Sequence, residues 1–239
     1  MEQLEGTCGE ICGAGVRKFR VIDAPQRSDE WFAARVGRLT GSVAGDMLAK
    51  IGRGEAAGRR NLRLRLVLER LTGRPQENDF VSPAMQAGLD REESAYAAYE
   101  ALTGDVAQRT GFLSHTERMA GCSLDGHLGD FAKLVSIKCR QPAAHLEFLR
   151  SGKIPADAMA QIRHELWITG ADEHDYFSWN PDFPEALQSR IVTIRRSGAE
   201  IEQYERDALV FLNEVEMECQ AVRSMAAPRA VLRDAANMA

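Results

Sequence analysis

The spacing of hydrophobic and polar positions predicts several helices in the first hundred residues. The clearest start is Ser28, a capping hydroxyl that two acidic residues follow before the apolar positions begin. Gly37 and Gly41 are expected to interrupt this helix, because glycine is a poor helix residue. The predicted helical segments are 29–39, 42–48, 61–71 and 83–102, with a flexible linker over 52–58.

The pattern changes after Gly104, where short apolar runs alternate with turn sequences. Such runs predict strands. The predicted strands are 106–114, 119–124, 134–139, 176–179 and 190–194, and the helices around them are 142–149, 156–169 and 197–225. This order predicts an α/β fold with a central mixed β-sheet flanked by α-helices.

Length and composition predict one domain. The 239 residues are 44% hydrophobic and 27% charged, which is typical of a single globular domain. We interpret residues 1–20 as a flexible arm, 21–225 as the domain and 226–239 as a frayed tail. The sequence has neither an apolar run of the ~20 residues that a membrane span requires nor a signal-peptide pattern, so we expect a cytoplasmic protein without membrane contact.

Charge and cysteine content narrow the functional classes only slightly. A net charge of −5 disfavours a nonspecific nucleic-acid coat protein but is compatible with a nuclease, whose metal-binding carboxylates add negative charge.

Five cysteines do not suggest a disulfide framework. Cys8 and Cys12 supply half of a zinc site with no second pair, so we interpret them as reduced thiols.

An acid and a lysine lie on neighbouring predicted strands. Asp125 follows the strand over 119–124 at an Asp-Gly turn, and Lys138 shares a strand face with Ser136, two residues before it. Metal-dependent phosphodiester hydrolysis needs oxygen ligands for a hard cation and a positive group beside the attacking water. A turn aspartate and an edge lysine are also ordinary surface features, so the pair alone leaves both interpretations open.

The arginines of the third helix also leave two interpretations open. They are spread over several helical faces, which is compatible with a solvated surface or with contacts to phosphates. The same holds for Arg35, which is placed either to bind phosphate or to pair with an acid such as Glu30. The arginines grouped with the third helix are Arg59 and Arg60, just before the predicted helix over 61–71, and Arg63, Arg65 and Arg70 within it.

Five blocks, in order along residues 28–179, resemble the lambda exonuclease/YqaJ viral recombinase family of the PD-(D/E)xK nuclease superfamily. The blocks are Trp-Phe-Ala-Ala-Arg-Val-Gly-Arg-Leu-Thr-Gly-Ser at 31–42, Gly-Leu-Asp-Arg-Glu at 88–92, Cys-Ser-Leu-Asp-Gly at 122–126, Ser-Ile-Lys-Cys at 136–139 and Ala-Gln-Ile-Arg-His-Glu-Leu-Trp at 160–167. Each block alone is a weak signal, whereas all five in order are specific. The resemblance implies a restriction-endonuclease-like core.

The resemblance also implies a role for each matching residue. Asp125 and Glu92 would bind Mg²⁺, with Mn²⁺ as a substitute, and the backbone carbonyl of Ile137 would complete the metal shell. Lys138 would position the nucleophilic water, and Gln161 would help to orient it. The residues that would face the substrate phosphate are Arg35, Ser42 and Ser123.

Ser136 departs from the family pattern, which has a glutamate at this position. A hydroxyl is a weaker ligand for magnesium than a carboxylate. Three interpretations remain open. Ser136 acts on the metal through water while Glu92 and Asp125 carry the charge; Asp130 reaches the site from the intervening turn; or the site is catalytically weakened.

The activity implied by the resemblance is that of a 5′-to-3′ exonuclease. It would degrade linear double-stranded DNA to nucleotides and leave a 3′ single strand for recombination by strand annealing. The resemblance further implies a ring-shaped homotrimer around DNA, a single-strand annealing protein as partner, and a phage or prophage origin in a bacterial host. The alternatives are a PD-(D/E)xK endonuclease and a DNA-binding module that has lost activity through Ser136. No glycine-rich nucleotide-binding loop is present in the sequence, so ATP is not expected.

Overall fold

In the part of the chain that the structure describes, the strands form two four-stranded sheets with helices packed against them. The structure is a computed structural model, and it describes residues 17–76 and 91–225. The strands are β1 Phe19–Ile22, β2 Leu39–Thr40, β3 Phe112–His115, β4 Ala120–Ser123, β5 Gly126–Leu128, β6 Lys133–Cys139, β7 Glu173–Trp179 and β8 Ser189–Arg195. The helices are α1 Asp29–Arg35, α2 Ala44–Leu48, α3 Ala57–Thr72, α4 Glu92–Thr103, α5 Pro142–Ser151, α6 Ala156–Thr169 and α7 Gly198–Met225.

Both sheets are mixed. The first has the order β1-β3-β4-β2, and its β2–β4 pair is parallel. The second has the order β5-β6-β7-β8, and its β6–β7 pair is parallel. The predicted α/β class, with mixed sheet structure flanked by helices, is confirmed. The chain passes from the first sheet to the second at Leu124 and Asp125, between β4 and β5.

Strand β6 lies between two hydrophobic clusters. Leu134 packs into the larger cluster with residues of α6 and α7, whereas Val135 and Ile137 pack with α4. Because successive side chains of a strand point to opposite faces, Ser136 and Lys138 lie on the Leu134 face, toward α6. This alternation decides which helix supplies partners to the two residues. Within the described ranges, no helix has both the length and the apolar character of a membrane span.

The first predicted helix ends earlier than its pattern indicated. Ser28 caps it as predicted, accepting a hydrogen bond from the Trp31 amide at 3.2 Å. The helix stops at Arg35 because Gly37 adopts a φ of 67° and packs against α3. A Cβ on Gly37 would lie 2.6 Å from the Arg70 side chain, so only glycine allows this close approach. Leu39, predicted to be helical, instead begins β2.

Two further strands were not predicted. Phe19 and Arg20, assigned to the flexible arm, belong to β1 and pair with β3. Gly126 of the predicted Asp-Gly turn begins β5, which pairs with β6. Each strand is short, so tertiary pairing and not local pattern decides its conformation. Residues 1–16 and 226–239 of the predicted arm and tail lie outside the described residues, as do 83–90 of the predicted fourth helix.

The arginines of α3 hold α7 in place. Arg59 binds Glu214 of α7 at 2.7 Å, and Arg63 binds Glu218. Both also pair with Glu55, just before α3. Arg59 and Arg63 are therefore neither simply solvated nor placed for phosphate contact, because carboxylates already engage their guanidinium groups.

Buried His164 is expected to make stability depend on pH. Its Nε2 donates to the Gly121 carbonyl at 2.9 Å and its Nδ1 accepts from the Tyr204 hydroxyl at 2.8 Å, so α6 is tied to β4 and α7. Burial lowers the pKa of His164 to about 4. The unfolded imidazole therefore binds protons that the folded one excludes, and the free energy of unfolding should rise with pH between about 4 and 6.5.

This prediction is measured by urea unfolding at pH 5 and pH 7 for the wild type and His164→Gln. The His164 contribution should differ by about 2 kcal/mol between the two pH values, and it should be missing in the variant. His115 and His127 are retained in both proteins, so the difference isolates His164. An identical pH dependence in the two proteins would refute the prediction.

Candidate active site

Asp125 and Lys138 meet at the point where the two sheets join. The Oδ2 atom of Asp125 accepts a hydrogen bond from the backbone amide of Ile137 at 2.9 Å and lies 3.0 Å from Nζ of Lys138. Burial alone would lower the pKa of Lys138, but the attraction of Asp125, and then of Glu165, raises it above its ordinary value. The structure thus brings together the acid and the lysine that the sequence placed on neighbouring strands.

Glu92 begins α4 and faces the same site. Burial raises the pKa of Glu92, and the negative charge of Asp125 raises it further. Such mutual repulsion between carboxylates is what a bound cation relieves. Among the residues that the structure describes, Oδ1 of Asp125 has no hydrogen-bond partner, which leaves one oxygen available as a ligand.

These groups line one cavity of about 510 Å³. Most of the residues assigned to the site by resemblance contribute to its wall, and so do several that the sequence reasoning missed. The lining residues are Gln26, Arg27, Ser42, Glu92, Asp125, Ile137, Lys138, Cys139, Arg140, Asp157, Ala158, Gln161 and Tyr176. A second cavity of about 500 Å³ shares Gln26, Arg27, Glu92 and Asp125 with the first.

Arg27 and Arg140 are the positive groups of the cavity that were missed. Arg27 has a φ of 70°, an uncommon conformation for a residue other than glycine, and precedes the cap of α1. Arg140 directly follows β6, and its guanidinium also lies over the ring of Tyr176 at 5.7 Å. Arg140 is adjacent to the Ser-Ile-Lys-Cys block and could have been found from it, but Arg27 has no signal in the sequence.

Ser136 does not reach the cavity wall. It is 2% exposed, and its hydroxyl lies 3.5 Å from Nε2 of His174 on β7, not beside Asp125 as its strand position suggested. Asp130 does not replace it, since its side chain is 83% exposed and pairs with Arg17. The interpretation in which Asp130 reaches the site is therefore wrong.

Two buried residues behind the cavity were also missed. Glu165 of α6 accepts hydrogen bonds from Gln161 Nε2 and from His174 Nε2, each at 2.8 Å. Glu165 lies four residues after Gln161, a spacing that places both on one helix face. That spacing was the only signal available in the sequence.

The three residues expected at the substrate phosphate are placed differently from one another. Ser42 lines the cavity. Arg35 is 9% exposed, and its guanidinium lies 4.0 Å from the centroid of the Trp31 ring. The indole nitrogen of Trp31 donates to the hydroxyl of Ser123 at 2.9 Å. Trp31 therefore connects Arg35 with Ser123, and the pairing of Arg35 with Glu30 is not needed to explain its position.

The donor set fits a hard divalent cation. Asp125 and Glu92 line the cavity with carboxylate oxygens, and Ile137 adds a backbone carbonyl. Oxygen is the ligand atom that Mg²⁺ prefers. Within residues 17–76 and 91–225, no group of three or more His, Cys, Asp or Glu side chains is arranged to hold a metal. A site here would therefore be completed by water and substrate oxygens, as is usual for Mg²⁺.

Comparison with known proteins identifies the family. The YqaJ-like viral recombinase domain matches residues 30–172, whereas no curated protein sequence matches the chain. An alkaline exonuclease from Laribacter hongkongensis is 32% identical, with a TM-score of 0.76 over 84% of this chain and 98% of that chain; its complex with dAMP gives the same values.

A phage-related exonuclease from Haemophilus somnus 129PT is 12% identical, with a TM-score of 0.59 over 79% of this chain and 96% of that chain. At this identity the likeness shows a shared fold. The family match spans more than half of the chain and includes most of α1, the strands around Asp125 and Lys138, and α6. The chain therefore belongs to the YqaJ-like viral recombinase family and has the fold of the lambda-exonuclease-type enzymes.

Proposed function

We propose that this chain is a Mg²⁺-dependent 5′-to-3′ exonuclease that degrades linear double-stranded DNA to nucleotides and leaves a 3′ single strand for annealing. The observation that carries the proposal is the convergence of Asp125, Glu92, Lys138 and Gln161 on one cavity. The 32% identical alkaline exonuclease supports the reaction class. The polarity rests on the family resemblance.

Each cavity residue has a role in this proposal. Asp125, Glu92 and the Ile137 carbonyl would hold the cation, with Mn²⁺ as a substitute for Mg²⁺. When bound, the cation would polarise the phosphate and lower the pKa of the attacking water. Lys138 orients that water and stabilises the negative charge that develops on the phosphate.

Arg27 and Arg140 are the groups that we expect to hold the DNA backbone. Both line the catalytic cavity, and Arg27 also lines the second cavity beyond Glu92 and Asp125. Guanidinium groups bind phosphate oxygens in two-point contacts, which position a strand without reading its sequence. Two adjoining cavities that share an acidic wall thus offer a path for a strand past the reacting phosphate.

The proposal extends to assembly and context on the strength of the resemblance alone. It includes a ring-shaped homotrimer around DNA, a single-strand annealing protein as partner, and action in the cytoplasm of a bacterial host of phage or prophage genes. Sedimentation of the protein with and without duplex DNA would test the trimer.

The activity is tested by comparing linear duplex DNA with a covalently closed circle of the same sequence. An exonuclease should release nucleotides from the linear form in the presence of Mg²⁺ and leave the circle intact. Cleavage of the circle would identify an endonuclease instead. Binding of duplex DNA without cleavage of either form would identify a DNA-binding module that has lost nuclease activity through Ser136.

Arg35 is expected to favour substrates with a 5′-phosphate. Arg35→Ala should slow digestion of 5′-phosphorylated ends by about 10- to 100-fold more than digestion of 5′-hydroxyl ends, since a charge-assisted hydrogen bond contributes ~1.5–3 kcal/mol. Arg38→Ala is the matched control, because it removes the same charge three residues away from a side chain that donates to the Arg118 carbonyl at 3.2 Å. Equal losses on both ends would show that Arg35 has a structural role instead.

A further inference from the structure

A third carboxylate lies directly behind the site that lacks one at position 136. Glu165 is 2% exposed and belongs to α6, on the face of β6 toward which Ser136 and Lys138 point. A buried carboxylate is costly unless hydrogen bonds satisfy it. Here both oxygens are engaged, one by Gln161 and the other by His174.

The chemistry of these contacts fixes the direction of each hydrogen bond. An ionised carboxylate can only accept, so Gln161 must present its NH₂ group and His174 must carry a proton on Nε2. Nδ1 of His174 is buried and has no hydrogen-bond partner among the described residues, which fits a tautomer whose only proton is on Nε2. The Ser136 hydroxyl lies 3.5 Å from the same Nε2 atom, so Ser136 and Glu165 both contact one nitrogen of the buried His174 ring.

The consequence for the cavity concerns Gln161. With its NH₂ group held by Glu165, its amide oxygen is turned away from Glu165. Because Gln161 lines the cavity, that oxygen is available to accept a hydrogen bond from a water or from the Lys138 ammonium. Without the negative charge of Glu165, the amide would be free to flip and to offer a donor instead.

Glu165 also acts on Lys138 at a distance. Ser136, on the same face of β6 as Lys138, lies 3.5 Å from the His174 Nε2 atom that binds Glu165, so the Glu165 carboxylate is on the same side of the strand as the Lys138 ammonium. Lys138 is thus held between a carboxylate that it contacts in the cavity and one in the layer behind. That is the electrostatic environment which an acid at position 136 would create on the same strand.

We propose that Glu165 is a positioning residue. From α6 it supplies the negative charge that an acid at position 136 would provide and that Ser136 lacks. It fixes the orientation of the Gln161 amide and compensates the positive charge of the Lys138 ammonium. The inference rests on the proposed metal-dependent nuclease function and extends it. It also predicts that a glutamate at position 136 can replace Glu165, because a carboxylate at either position would supply the same negative charge beside Lys138.

The test measures Mn²⁺ binding by calorimetry, together with nucleotide release from linear duplex, for Glu165→Gln. The substitution keeps the shape but removes a negative charge behind the cavity, so Mn²⁺ affinity should fall about tenfold or more, because cation affinity rises with the negative charge around the site. The release rate should fall with it while KM for the duplex changes little. The double variant Ser136→Glu/Glu165→Gln should recover Mn²⁺ affinity to within about threefold of wild type, since the two sites are coupled.

Glu69→Gln is the matched control. Glu69 is likewise a buried helix glutamate, 4% exposed, and accepts from the Gly37 amide at 2.8 Å and the Gln76 amide at 3.1 Å. Its substitution should lower stability without changing Mn²⁺ affinity. If Glu165→Gln does not fold, the exchange Ser136→Glu/Glu165→Ser decides, since it retains one carboxylate and should bind Mn²⁺.

The outcomes separate this inference from the function on which it rests. Unchanged Mn²⁺ affinity in Glu165→Gln overturns the inference while the nuclease stands, provided that the wild type binds Mn²⁺ and cleaves DNA. A folded double variant or exchange variant that does not recover binding also overturns it. A wild type that neither binds Mn²⁺ nor cleaves DNA overturns both.

Discussion

Asp125→Asn is expected to abolish nucleotide release, with a loss of at least about 10³-fold. Asparagine has the same shape as aspartate and can still accept the hydrogen bond from the Ile137 amide. Its NH₂ group would then face the cavity as a donor, where Asp125 offers an oxygen. The Lys138 ammonium would lose its carboxylate partner, which now lies at 3.0 Å. Mn²⁺ binding should be lost together with activity.

The measurement is the initial rate of nucleotide release from linear duplex, with the melting temperature as a check on folding. Asp130→Asn is the control, because it removes the same charge five residues away from an exposed side chain that pairs with Arg17. It should leave the rate within about twofold of wild type, as is usual for surface substitutions. Near-normal activity of Asp125→Asn, or an equal loss in Asp130→Asn, would contradict the assignment.

Lys138→Met is expected to lower the rate by about 10²- to 10³-fold, the usual cost of removing one stabilising group from a transition state. Methionine retains the length of the side chain and removes only the charge. Because the ammonium is bound to Asp125, its removal should leave Mn²⁺ affinity unchanged or make it higher. Lys138 and Asp125 are therefore distinguished by metal binding, although both substitutions stop the reaction.

Lys133→Met is the control for Lys138. The two lysines lie on β6 with similar exposed fractions, 26% and 30%, and each pairs with a carboxylate. Lys133 binds Asp175, which is not among the residues that line the cavity, at 2.8 Å. Its loss should lower the melting temperature and leave the rate per folded molecule unchanged. Equal losses of rate in both variants would show that β6 needs the ion pairs only for folding.

The part of the site that was predictable from sequence depends on local patterns. Asp125 stands at a turn between strands, and Lys138 follows Ser136 by the two-residue period of a strand. The fold class followed from the order of helices and strands. These features are set by neighbouring residues, so the sequence displays them directly.

The remaining features depend on residues that are distant in the sequence. Glu165 and His174 become partners of position 136 only because α6 and β7 pack beside β6, and a glutamate in a helix is ordinarily solvated. Arg27 lines the cavity from a left-handed backbone conformation, and the residue types around it do not predict that conformation. Leu39 was wrongly predicted to be helical, because the pairing of β2 with β4 outweighs the local pattern.

The most direct test of the proposed reaction follows the fate of the two ends of one strand. A linear duplex with 5′-phosphates is labelled on the first nucleotide of a strand or, in a second preparation, on its last. In Mg²⁺ the 5′ label should appear at once as a mononucleotide, the 3′ label should be retained in single-stranded DNA, and chelation of the metal should stop release. Earlier release of the 3′ label, or release that continues without a divalent metal, would contradict a metal-dependent 5′-to-3′ exonuclease built around Asp125 and Lys138.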